Sequence, residues 1–270
     1  MEPGPDELFG TRPPALYVRF AQWCYDRAVG NPGEAHSLYW QLLGLESDDV
    51  DSKGYSSPFE LYSIGDYDGD QVGWVVLAPE LTSEDYPWIW YQHDGDSISV
   101  LAKNTTEFFT RILSYALVNK PEVAAEAAEA AAHLGLAISR ELGESVAIFG
   151  ASNYYERNEP APTLKVDVPE GWRYVPADPI EGGVGVLAPA ATFATGAHVM
   201  DRRKDPLEAA VEHGNNSHAA SALWHLLTPH SRHGTQMSEY GDWLRFVKEA
   251  YRLLGRPQLA ERVQRFEAGY

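Results

Sequence analysis

A chain of 270 residues that is 44% hydrophobic and 12% aromatic carries enough apolar surface for one large folded domain or two ordinary ones. Its 39 acidic and 21 basic residues leave a formal net charge of −18, a field that repels nucleic acid and anionic membrane and draws in basic partners. The longest apolar runs, such as Val72 to Pro79, fall well short of the roughly 18 to 20 residues that cross a bilayer, and the acidic start MEPGPDE lacks the basic-then-apolar character of a secretory signal, so a cytoplasmic protein is expected.

The first elements are set by proline and by helical spacing. After Thr11, Pro13 and Pro14 mark a helix start, where a missing N–H costs nothing; Leu16, Phe20, Trp23 and Cys24 then follow at intervals of three and four up to about Gly30. Cys24 is the single cysteine, so no internal disulfide forms, and its place on this apolar stripe predicts a small buried hydrophobe rather than a nucleophile. Residues 30–57 mix Gly, Pro, Ser and Asp around a short apolar piece, Leu38 to Leu45, which predicts a loop, a turn or two of helix, and a second loop.

From Phe59 to Leu101 the strand-like runs FELYSI, VGWVVL, WIWY and SISVL are separated by DYDGD, LTSEDYP and HDGD, predicting an antiparallel meander. NTTE at Asn104 to Glu107 has the form of a capping box, opening a helix to about Val118 with Phe108, Phe109, Ile112, Leu113 and Leu117 on one face. The alanine-rich stretch Pro121 to Leu142 predicts one helix closed by Gly143. Short strands are expected at Val146 to Phe149, Leu164 to Val168, Arg173 to Val175, Val184 to Leu187 and Thr192 to Met200, and helices near 206–212, 218–227, 240–254 and 257–266. VGVLAPA at 184–190 echoes VGWVVLAPE at 72–80, which would fit a divergent second copy. The predicted class is α+β, with a domain at 1–118 and a second α+β region with a helical tail at 119–270.

Acidity is concentrated in the first half: residues 1–115 hold 19 acids and 6 bases, residues 116–270 hold 20 and 15. Asp66, Asp68 and Asp70 alternate as the first ligands of a calcium loop do, yet Gln71 stands where that loop needs glycine and Leu77 where it needs a bidentate glutamate. Asp-Gly pairs at 68–69 and 94–95, each flanked by strand residues, instead supply the positive-φ tolerance of hairpin turns. No metal is therefore assigned. Gly150, Ala151 and Ser152 follow an apolar run as a nucleophile elbow would, but Asn153 and Tyr154 depart from its pattern. His230 and His233 form an HxxH flanked by Pro229 and Gly234 with no further ligand nearby, and neither GxxxxGK[ST] nor GxGxxG occurs. No catalytic residue and no cofactor are assigned.

The order of elements over residues 7–118 resembles the SUKH superfamily, which takes its name from yeast cell-wall synthesis regulators and bacterial immunity proteins. ELFGTRPPALYVRFAQWCYDRAVGN is similar to the family's opening helix after proline. FELYSIGDYDGDQVGWVV resembles its Ile-Gly, acidic turn and strand, and PWIWYQHDGDSISVLAKNTTEFFTRIL its aromatic strand, acidic turn, strand and Glu-Phe helix. The connector at 30–57 and everything after 118 depart from that pattern.

The resemblance implies a bacterial, non-catalytic binding module, of the kind that holds a toxin inactive. An acidic face would attract a basic nuclease toxin and mimic its nucleic-acid ligand, with aromatic anchors. The expected partner-binding residues are Asp66, Asp68, Asp70, Glu84, Asp85, Asp94 and Asp96 in turns, with Trp88 and Trp90 on one strand face and Ile89 and Tyr91 on the other. One face is expected to be core, the other open to a partner. Two alternatives from other classes are a hydrolase acting on a small molecule in a cleft between the halves, and a regulatory scaffold docking through Trp243, Phe246, Val247, Tyr251 and Leu254.

Overall fold

Proline fixes φ near −65° and donates no hydrogen bond, so it suits the boundary of a helix. Pro14 caps α1, Ala15–Arg27, which buries Tyr17, Phe20, Trp23 and Cys24 at helical spacing. The computed structural model describes residues 13–28, 31–45, 58–67, 70–79, 86–92, 97–148, 164, 166–175, 184–193, 244–245, 247–252 and 254–268. α2, Pro32–Leu43, is a twelve-residue helix where only a turn or two was expected. Its signals are caps that resemble loop composition: the Asn31 side chain accepts the Gly33 N–H, Pro32 opens the first turn, and Gly44 closes the helix in the left-handed conformation at φ 73°.

The meander follows the predicted alternation. β1 (Leu61–Tyr67), β2 (Asp70–Val75), β3 (Trp88–Gln92) and β4 (Ser97–Ala102) pair antiparallel in sequence order. β1 carries an irregularity between Ser63 and Gly65, where the Ser63 hydroxyl accepts the Gly65 N–H at 3.3 Å. Opposite it, Gly73 lies so close to the other strand that a Cβ there would meet the Tyr62 carbonyl oxygen at 2.0 Å.

α3, Thr105–Asn119, starts with the predicted cap. The Asn104 Oδ1 accepts the Glu107 N–H at 2.8 Å, while the Glu107 carboxylate reaches back to the Lys103 N–H at 3.0 Å, one residue beyond the N-cap N–H that a capping box would use. The alanine-rich segment is two helices, α4 (Ala124–Leu134) and α5 (Arg140–Ile148), because Gly135 adopts φ 72° and ends the first. Gly143 lies inside α5, where its missing side chain lets the helix approach α3; a Cβ there would stand 2.2 Å from the Ser114 carbonyl oxygen. Val146, expected in a strand, is on α5 and buried. One hydrophobic cluster takes members from Tyr17 to Val146, on both sides of residue 118 in sequence.

Both faces of the sheet are filled. On the helical side, Trp88 stacks on Phe108 at 4.0 Å and donates its indole N–H to Thr105 Oγ1 at 3.1 Å, beside Tyr62, Trp74 and Trp90. On the other side, Leu61, Val75, Ile89, Tyr91 and Val100 pack with Val184 and Leu187. That cover belongs to a hairpin of β5 (Trp172–Val175) and β6 (Val186–Pro189). Residues 164 and 166–168 are not strand, and Ala190–Phe193 forms a 3₁₀ turn where a strand was expected to begin.

Helical residues 244–245 and 247–252, with α6 (Pro257–Ala268), make a third cluster around Phe59. The Tyr251 hydroxyl donates to Glu60 Oε1 at 2.7 Å, and Arg262 donates to the Phe59 carbonyl at 2.8 Å. The arrangement is α+β, with helices, a four-stranded antiparallel sheet and a two-stranded one. Among the described residues no helix is long and apolar enough to cross a membrane. The helices expected near 206–212 and 218–227 lie outside the described residues.

Candidate functional site

Successive strands of a meander alternate in direction, so the β1–β2 and β3–β4 links leave from the same end of the sheet. Tyr67 pairs with Asp70 across the first link and Gln92 with Ser97 across the second. Asp66 sits in β1 opposite Gln71, and Asp70 is half-buried at the start of β2. Asp68, Asp94 and Asp96 belong to these two links but lie outside the described residues. Glu84 and Asp85 do too, and β2 ends and β3 begins at the opposite end of the sheet, so topology separates their link from the other five acids. Among the described residues, no group of three or more His, Cys, Asp or Glu is placed to hold a metal ion. The Ser152 segment and the six histidines from 198 to 233 also lie outside them.

The two tryptophans expected at a partner's surface are not there. Trp88 is 0% and Trp90 4% exposed, and their strand neighbours Ile89 and Tyr91 are 0% and 1% exposed on the other side. The helices are the reason: Trp88 stacks on Phe108, Trp90 belongs to the same core cluster, and the β5–β6 hairpin closes the opposite face, over Ile89 and Tyr91. The tail stripe offered as a scaffold's docking face is likewise core: Val247 and Tyr251 are buried, and Leu254 packs partly against them. Trp243 and Phe246 are outside the described residues.

An open groove of about 410 Å³ lies between α1 and α2 above Ile64, within the first half rather than between the halves. Tyr17 and Tyr25 enter it from α1, His36, Tyr39 and Trp40 from α2. Their spacing is helical on both sides, which brings five rings to one cleft. The Tyr39 hydroxyl lies 3.4 Å from that of Tyr17 and 3.5 Å from the Ile64 carbonyl. Trp40 stands perpendicular to Tyr39 at 4.8 Å and near-perpendicular to His36 at 5.0 Å. Tyr25, 45% exposed, forms the rim.

The electrostatics of this groove are set by burial. Burial raises the Tyr17 phenol above its ordinary pKa, against the lowering effect of its contact with Tyr39. Burial also pushes the Cys24 thiol up to about 12, so it stays protonated at neutral pH and is a poor nucleophile. Among the described residues the lining contains no carboxylate to work against His36 as an acid/base pair. Aromatic faces, hydroxyls and an imidazole can hold a ligand by stacking and hydrogen bonding. The groove was hidden in the sequence because residues 30–57 have loop composition. Asn31-Pro32, Gly44, and His36, Tyr39 and Trp40 at helical intervals were its available signals.

No protein-family model matches the chain, and no curated protein matches it.

Proposed function

We propose that this protein is a non-catalytic binding module that captures a basic protein in the cytoplasm, as an immunity protein captures a nuclease toxin. The observation that carries the reading is the shared sheet end: two links rich in aspartate leave from the same edge of a sheet whose faces are both occupied by the chain itself. A filled sheet is a rigid support, and a support that gathers like charge at one end accepts the self-repulsion of that charge. A cationic partner offsets this repulsion on binding and is steered to the site by the field of the whole chain. The resemblance of residues 7–118 to SUKH proteins points the same way, and so does the groove lined by aromatic rings without a carboxylate.

The test is capture from the source cells at low ionic strength, with bound proteins identified by mass spectrometry. The expected result is a protein of high isoelectric point that is retained by the native chain, released by salt, and lost when Asp66, Asp68, Asp70, Asp94 and Asp96 are all changed to Asn. Absence of any protein partner, or a partner indifferent to the five changes, contradicts the reading.

A further inference from the structure

We propose that the groove between α1 and α2 receives an arginine side chain of the basic partner, held against the ring faces of Tyr25, Tyr39 and Trp40. The inference rests on the protein-capture reading and names the chemistry of its anchor. At about 410 Å³ the groove lies in the size range of specific ligand sites, roughly 300–1,000 Å³, and it opens to solvent, so a side chain projecting from a folded surface can enter.

The lining favours a cation over an anion. α2 contains neither Lys nor Arg. The two arginines of α1 are turned toward α4, Arg19 donating to the His133 carbonyl at 2.9 Å and Arg27 pairing with Glu129 at 3.2 Å. Lys120 donates to the Gln41 carbonyl at the far end of α2. Among the described residues no fixed cation therefore competes from the walls, and the chain's net charge of −18 disfavours an anionic occupant. The C-terminal end of α1 and the N-terminal end of α2 meet beside the groove, so their opposite end charges offset and the rings decide the preference.

Ring geometry selects a planar cation. In an edge-to-face pair one ring offers its edge and does not cover its own faces with the other; Tyr39 against Trp40 at 90° is such a pair, with Tyr39 also tilted against Phe20 at 5.7 Å and Trp40 near-perpendicular to His36 at 5.0 Å. A guanidinium is flat, weakly hydrated and suited to lie on such a face, whereas an ammonium surrenders a tighter hydration shell. The same contact is made within the chain, where the Arg262 guanidinium lies 4.1 Å from the centre of the Tyr62 ring.

The test is an NMR titration of the full-length protein with a Gly-Arg-Gly peptide blocked at both ends, alongside its citrulline counterpart, which keeps the shape and loses the charge, and its lysine counterpart. Saturable shifts of the Trp40 indole are expected, with citrulline about tenfold weaker than arginine and lysine between them. Tyr25→Phe should retain binding and Tyr25→Leu weaken it severalfold; this rim residue is exposed, and an unchanged near-UV spectrum verifies the fold. Citrulline binding as tightly as arginine, lysine binding more tightly, equal behaviour of the two Tyr25 variants, or no shift at Trp40 each overturn the proposal. Full-affinity capture of a basic protein by Tyr25→Leu overturns the groove's part alone, whereas failure of the native chain to capture any protein removes the reading beneath it.

Discussion

The two faces of the four-stranded sheet are covered by very different material. Its helical face is closed by α1, α2 and α3, neighbours of the sheet in sequence, through rings in close contact: Trp88 stacks on Phe108 and Tyr17 tilts against Trp74, while Phe20 tilts against Phe109 between the helices. The opposite face is closed by a hairpin from far along the chain, through a mainly aliphatic contact whose margin, Leu164, Val166, Trp172 and Tyr174, is only partly buried. One cover is local and aromatic, the other distant and partly wet. The difference teaches that the sheet's second face is a product of chain length, and that it removes from the surface residues that a shorter chain would have exposed.

The strongest way to break this comparison is at the ring stack. Trp88→Ala should lower stability by about 3–5 kcal/mol, since a fully buried indole leaves a cavity that its neighbours cannot fill; denaturant unfolding measures it. Leu187→Ala, under the hairpin, should remove about 2 kcal/mol, at the low end for a buried leucine because a cover with a partly exposed margin can settle inward. Equal losses at the two sites would erase the distinction between the covers.

A smaller effect sharpens the helical side. Lys120 caps α2 through Gln41, and burial lowers its pKa to about 8 from 10.5. Between those values the unfolded chain holds a proton that the folded chain has released, so stability should rise with pH across that window. Comparison of the native chain with Lys120→Met from pH 8 to 9.5 isolates the contribution, and parallel pH profiles would show that this lysine has none.

Local physics was readable and distant physics was not. The meander, the Asn104 cap and the buried Cys24 follow from alternation, capping chemistry and helical spacing, all within a few residues of one another. α2 was obscured because Asn-Pro-Gly serves both turns and helix starts. The choice of Gly135 over Gly143 as a helix stop depends on the packing of α5 against Ser114, which no local rule contains. Of the candidate site, the common end of the two acidic links follows from the order of the meander. Trp88 and Trp90 were misplaced because a strand with two apolar faces does not show which face the helices cover: they cover the tryptophan face, and the distant hairpin covers Ile89 and Tyr91.

The most direct test of capture through the acidic sheet end is the affinity of the isolated partner for the native chain and for the fivefold Asp→Asn variant, each measured across ionic strength. The account predicts tight binding by the native chain that falls steeply with salt, and weak, nearly salt-independent binding by the variant. Equal affinities with equal salt dependence would contradict it.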